Sequence, residues 1–405
     1  PMIVDYPSRI EQYWGREVRI YVNITHTEEF LMTPVENAIV RAEIIKDNIV
    51  YRVLNLEEDE AISGYYWAKM VLDGNISAGV YMIKISIEKY GYLNVTLTYP
   101  LYVITVPTIL TTNASLIDTY YGELIRIRVD YNRIDVISGV VNATVRWVLL
   151  DKNNNTVMNG SAIEIGGGSY VITVSTHGLM LESYLLMIKA ERANFRMSQT
   201  YVTIDVNPIP TTVSVVPPVA DITWGDDYNF TITVFNALNQ SGIENISTEL
   251  HVYVGGELID VGDAIKIIEI GDGVYIIMVR SGLLNVSDYR IEILLAKQYY
   301  ALPTVEMTAR VRPVNIEVTI RTSPKVFKNP ATGVATTKVE VILRESQTKA
   351  PITNAVVYVN LVRGEKIIAT IEATESKDNP GVYVAYIDWS KVEPGDYTIS
   401  VEVRE

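Results

Sequence analysis

Three histidines, scattered carboxylates and a series of Asn-x-Ser/Thr triplets are the residues of this 405-residue chain from which chemistry could be built. His26, His177 and His251 stand far apart, so neither a zinc cluster nor a histidine-based triad assembles from neighbouring segments. The acidic stretches LEEDE (56–60), WGDD (224–227) and GDG (271–273) supply oxygens. None has the spacing of a calcium loop, which converges about six to eight ligands. GDG reads better as a hairpin turn. Calcium at a joint between domains, without nameable ligands, is the one cofactor left open; otherwise none is expected. GGG at 166–168 precedes a strand pattern and not a helix, so it is no phosphate loop. No pairing of nucleophile and base stands out, and the chain reads as a non-enzyme.

The triplets are the more distinctive feature. Asn23, Asn75, Asn94, Asn113, Asn142, Asn154, Asn159, Asn229, Asn239, Asn245 and Asn285 are all potential N-glycan acceptors, against about three or four expected by chance. Asn94 and Asn229 alternate with apolar neighbours and should face solvent, as a glycan requires. This predicts an extracellular, cell-surface protein. Asn142 and Asn245 also occupy a position that recurs without the triplet as Asn37 and Asn354, so a structural role comes first there. Trp14, Tyr121 and Trp224 could stack sugars, but each precedes a Gly and a core-type strand, which favours packing at the end of a domain.

The elements that must position these residues are strands. Hydrophobic residues are 48% of the chain and charged ones 20%, enough to bury a core in each of two to four domains. The 27 Tyr and the abundant Val, Ile and Thr favour β structure. A net charge of −14 argues against nucleic acid as a partner. Cys is absent and Gln scarce, which fits a thermostable protein from a hyperthermophile. No run of about 18 apolar residues and no signal peptide is present, so a membrane span is not expected, and the sequence reads as a mature segment or an excised piece.

Self-comparison gives the organisation. GYYWAKMVLDGNISAGVYMIKISI, GSYVITVSTHGLMLESYLLMIKA, GVYIIMVRSGLLNVSDYRIEILL and GVYVAYIDWSKVEPGDYTISVEV share a Gly-x-Tyr strand and a second Tyr. The first Tyr falls at 66, 170, 275 and 383, and the second at Tyr81, Tyr184, Tyr289 and Tyr397. Upstream, PVENA, GVVNA, GIENI and PITNA carry an Asn at 37, 142, 245 and 354. Alternation through Phe230, Ile232 and Val234, and through Tyr275, Ile277 and Val279, predicts antiparallel sheets with one wet face. About seven strands in roughly 105 residues is the size of an immunoglobulin sandwich. The second Tyr lies where a tyrosine corner would bond back to nearby backbone.

On the PVENA-type segments and the PGDYTISVEV-type strands, the chain resembles the tandem bacterial-type immunoglobulin-like repeats of prokaryotic surface proteins, archaeal surface-layer and adhesin-like proteins above all. The resemblance implies an all-β chain of four tandem immunoglobulin-like sandwiches: 1–106, 107–207, 208–312 and 313–405. It also implies copies of itself or other surface-layer proteins, and glycans, as partners. Pro107, Pro208 and Pro313 sit at the joints and stiffen them, so a rod of about 150 Å is expected.

The fourth repeat stops at residue 405, where the first three still have a strand to come. Either the sequence is a piece of a longer protein, or the strand is supplied in trans along the edge of Tyr397, Ile399, Val401 and Val403. The expected function is a non-enzymatic building block of a surface layer or filamentous appendage. The rivals are an adhesin stalk that recognises a sugar or protein, and an accessory region of a larger secreted enzyme.

Overall fold

The computed structural model describes residues 2–28, 31–323 and 336–404, and the chain divides into two compact units, Pro1–Ile209 and Pro210–Glu405. The regular elements among the described residues are strands and three single-turn 3-10 segments. No helix among them is long and apolar enough to cross a membrane.

The second repeat shows how alternation becomes a core. Strand Leu124–Arg133 runs antiparallel to Ser169–Ser175, setting Ile125 opposite Val174, Ile127 opposite Ile172 and Val129 opposite Tyr170. All six are buried, while Arg126 and Arg128 point outward. The facing sheet contributes Val145, Trp147 and Leu149, then Tyr184, Leu186 and Ile188, then Val202, Ile204 and Val206. Because side chains alternate between faces, every second residue of each strand enters one slab between two sheets. In this repeat the sheets have four and five strands, and in the third repeat five and five. In the first repeat Ile49–Glu58 pairs with a strand on either side and joins the layers into one nine-stranded sheet. Six strands of the fourth are described. Among the described residues there are four clusters of buried apolar side chains, one within each repeat.

Two expectations need correction. The first three repeats have nine or ten strands and not seven, and their pairing is not wholly antiparallel. The parallel pairing, and one of the extra strands, arise because the opening strand breaks and changes sheets. In the second repeat Thr108–Thr112 pairs antiparallel with Leu124–Arg133, whereas Leu116–Tyr120 pairs parallel with Ser198–Asn207 in the opposite sheet. The first repeat does the same with Met2–Asp5 and Ile10–Tyr13, and the third with Ile209–Val216 and Val219–Thr223. Proline supplies the break in two of them, at Pro7 and at Pro217–Pro218, because it cannot donate to a ladder. One broken strand thereby covers an edge of each sheet. The corresponding stretch of the fourth repeat, 324–335, lies outside the described residues.

Candidate functional site

The most elaborate polar constellation in the protein occurs four times. In the first repeat Tyr66 Oη donates to the carbonyl of Val35 (2.9 Å) and accepts from the backbone N–H of Ala38 (2.8 Å). Glu58 Oε2 accepts from the N–H of Asn37 (2.7 Å), and Oε1 accepts from that of Gly64 (2.8 Å). Tyr170 and Glu164 repeat the arrangement around Val140, Asn142 and Ala143. Tyr275 and Glu269 repeat it around Ile243, Asn245 and Ile246. Tyr383 and Glu375 do so around Ile352, Asn354, Ala355 and Gly381.

The sequence explains the geometry. Asn37, Asn142, Asn245 and Asn354 have φ of 50°, 51°, 52° and 58°, a left-handed conformation that Asn tolerates better than most residues. Their N–H groups then point away from the sheet and need the carboxylate. The Gly of each Gly-x-Tyr also has positive φ and lies against backbone: a Cβ on Gly273 would sit 2.3 Å from the carbonyl oxygen of Val234. Burial pushes the Tyr66 and Tyr275 hydroxyls up to about 12, so they remain protonated donors. Burial would raise Glu58, but the N–H groups of Gly64 and Asn37 and the Tyr66 hydroxyl outweigh it and hold the carboxyl below its ordinary range. In Glu375 the N–H groups of Asn354 and Gly381 have the same effect. Each of the four carboxylates accepts from the N–H of the left-handed Asn, and those of Glu58 and Glu375 accept from the Gly N–H as well. The constellation is a lock that ties one loop to the sheet.

A second construction joins the first two repeats within Pro1–Ile209. Arg16 donates from Nε (3.1 Å) and Nη2 (2.9 Å) to Asp135 Oδ2, and Arg133 donates from Nε to Oδ1 (2.9 Å) and from Nη2 to Oδ2 (2.8 Å). The Asp135 side chain is only 9% exposed. Hydrogen bonds from Arg133, then Arg16, pull its carboxyl down to about 2 against the opposing cost of burial. Beside them Trp14 meets Phe195 edge-on at 5.8 Å, Ala78 N–H donates to Asn194 Oδ1 (2.8 Å), and Val106 N–H donates to the Asn194 carbonyl (2.9 Å).

The aromatic–Gly landmarks therefore diverge. Trp14 is half-buried between two cores and Tyr121 packs on the second. Trp224 departs from the expectation of packing: it is 46% exposed, with Nε1 donating to the Leu284 carbonyl (2.9 Å). Its ring borders a groove of about 260 Å³ with Asp226, Arg312, Asn315, Glu345 and Gln347.

The remaining candidates fall as follows. Ten of the acceptor asparagines are exposed: Asn75, Asn94, Asn113, Asn142, Asn154, Asn159, Asn229, Asn239, Asn245 and Asn285. Asn23 is half-buried. Tyr184, Tyr289 and Tyr397 each donate to the carbonyl four residues upstream, at Met180, Asn285 and Glu393. Tyr81 instead lies 3.5 Å from the Ser77 hydroxyl. Ile399, Val401 and Val403 share one half-buried face of Thr398–Arg404, a strand paired with Val356–Arg363 on one side. The histidines stay apart, in contact with Tyr92, Tyr121 and Glu249. GDG forms the turn between Ile265–Gly271 and Val274–Arg280. Among the described residues no three His, Cys, Asp or Glu gather as metal ligands. Sequence reasoning missed two sets of residues. Glu58, Glu164, Glu269 and Glu375 were discoverable, since they keep the period of the repeat. Arg16 and Asp135 were not, because their pairing depends on how two repeats abut.

No family model matches the chain, and no curated protein does. Solved structures are similar to it at low identity. A tetra-tandem repeat from the extending region of a large adhesion protein is 13% identical, covers 98% of this chain and 99% of its own, and has a TM-score of 0.33. The I9–I11 tandem of titin is 13% identical over 77% of this chain and all of its own, with a TM-score of 0.25. Escherichia coli alpha-2-macroglobulin is 10% identical over all of this chain and 43% of its own, with a TM-score of 0.21. At such scores the fold assignment rests on the sandwich topology described above.

Proposed function

We propose that the protein is a non-enzymatic structural element of a cell surface, a building block of a surface layer or filamentous appendage made of four sandwiches divided near 106, 207 and 312. The observation that carries this reading is the fourfold lock. Polar side chains are devoted to fastening loops onto sheets, with every carboxylate occupied by backbone donors, as suits modules that hold shape in series. The eleven glycan acceptors support an extracellular setting. In that setting an acidic, glycosylated skin keeps neighbours soluble until ordered contacts form with further copies or other surface-layer proteins. Electron microscopy of the purified protein, with and without calcium, tests the proposal. Ordered filaments or sheets are expected, and dispersed particles under all conditions would overturn it. The exposed Trp224 and its polar groove favour a second reading, an adhesive stalk that binds glycans. Saturable glycan binding that is lost in Trp224→Ala, without assembly, would select it.

A further inference from the structure

The outer surface of one layer of the first repeat is apolar where a solvent-facing sheet is ordinarily polar. Its five strands run in the order Ile49–Glu58, Ile39–Lys46, Gly79–Glu88, Val95–Ile104 and Ile10–Tyr13. Alternation sends Ala42, Ile44, Ile83 and Ile85 into the core and turns the residues between them outward. Pairing then sets Val50, Ile45, Met82 and Pro100 in one row across four strands. Val80 and Tyr102 form the next row, and Ile104 and Tyr13 the one beyond. Val50, Val80, Met82, Ile104 and Tyr13 are between 37% and 52% exposed. The three rows extend about 24 Å across the strands and about 20 Å along them, roughly 500 Å² in all.

This band is not a property of the repeat. The row through Met82 becomes Leu150, Leu185 and Thr203 in the second repeat, all half-buried. In the third it becomes Tyr253, Arg290 and Thr308, and Arg290 pairs with Glu292 and Glu306. Charge beside the band is balanced, since Arg41 and Lys84 both pair with Glu43, although the chain as a whole carries −14. The potential glycan acceptors of the first repeat lie elsewhere. Asn23 is on Glu17–Glu28 in the opposite layer, and Asn75 and Asn94 stand outside the strands.

We propose that this face is where two copies of the chain meet, sheet against sheet, about a twofold axis. The proposal rests on the reading of the protein as a building block that meets further copies, and it assigns the contact. A twofold contact sets one patch against itself, so the patch must complement itself. A flat apolar band beside a balanced rim does so, because no like charges are forced together. Two copies bury about 1,000 Å² of band before the rim is counted, which reaches the size of a specific interface. The packing is the one that already builds the sandwich: two faces about 10 Å apart with interdigitating side chains.

The test uses the full chain, made without glycans. Sedimentation equilibrium should find a reversible dimer at or below about 100 μM. Met82→Lys should raise its dissociation constant at least about tenfold, because the contact would desolvate the new charge. That lysine brings the net charge nearer zero, so general repulsion between copies predicts the opposite. Thr398→Lys, the same change at the equivalent position of the fourth repeat, should leave the dimer unaltered. A soluble nitroxide should broaden the Met82 methyl resonance in dilute protein and spare it as the dimer forms, while the strongly exposed Met180 stays broadened throughout. Three outcomes would overturn the proposal: a monomer at every concentration, a dimer in which Met82 is as accessible as Met180, or a dimer that Met82→Lys weakens no more than Thr398→Lys. The reading of function is judged apart. Ordered filaments or sheets that survive Met82→Lys would remove this contact and leave that reading standing, whereas a dimer through this face that never assembles further would do the reverse.

Discussion

A tyrosine hydroxyl with both its donor and its acceptor functions used by backbone is the smallest unit on which each repeat depends. Removing it from Tyr66 leaves the buried Val35 carbonyl and the Ala38 N–H without their partner, which costs about 1–3 kcal/mol. Tyr66→Phe should therefore lower the denaturation midpoint of the repeat that contains it without changing its secondary structure. The carboxylate beside it adds a pH dependence whose sign follows from its environment. Glu58 and Glu375 titrate below their ordinary value of 4.5 when folded. The stability they confer is therefore complete above about pH 4.5 and is lost as pH falls through the lowered folded values. Urea denaturation between pH 7 and pH 3 should show a falling midpoint, and Glu58→Gln should flatten that slope while already lowering the midpoint at neutral pH. A wild-type midpoint indifferent to acid would remove the lock from the account of stability.

Among elements, the junction of the first two repeats carries the clearest expectation. Asp135 accepts from two arginines that come from different repeats, and with its carboxyl near 2 it stays charged long after the lock carboxylates have begun to protonate. Asp135→Asn leaves two guanidinium groups facing a neutral amide, a loss of roughly 1–3 kcal/mol confined to the joint. Hydrogen exchange should accelerate at the amides of Val106 and Arg196, which cross the junction, and remain unchanged at Ile127 inside the second core. What the sequence disclosed, and what it did not, divides along the same line. The Gly-x-Tyr strands and the left-handed Asn were legible because one backbone geometry admits few residue types, and that restriction recurs in register. The parallel strands were not: Ile10–Tyr13, Leu116–Tyr120 and Val219–Thr223 are four or five residues long, too short for alternation to declare a partner. The differing fates of Trp14 and Trp224 were equally hidden, since they turn on whether a neighbouring repeat supplies a Phe195.

For the whole molecule, potential glycan acceptors are unevenly distributed. All eleven acceptor asparagines lie at or before Asn285, and residues 313–405 contain none. That same bare repeat exposes the apolar side chains Ile316, Val318 and Ile320. Sugar on those acceptors, together with the net charge of −14, would discourage unordered contact over the first three repeats. Glycopeptide mapping of the protein from a glycosylating host should find sugar at the ten exposed asparagines and less at Asn23. That residue is half-buried on a strand paired on both sides, opposite Asp5 and Tyr65. Enzymatic removal of the sugar should then raise light scattering, because the contacts released belong to the first three repeats. Scattering unchanged by removal of the sugar would show that the acceptors do not govern association, and this account of the first three repeats would fail.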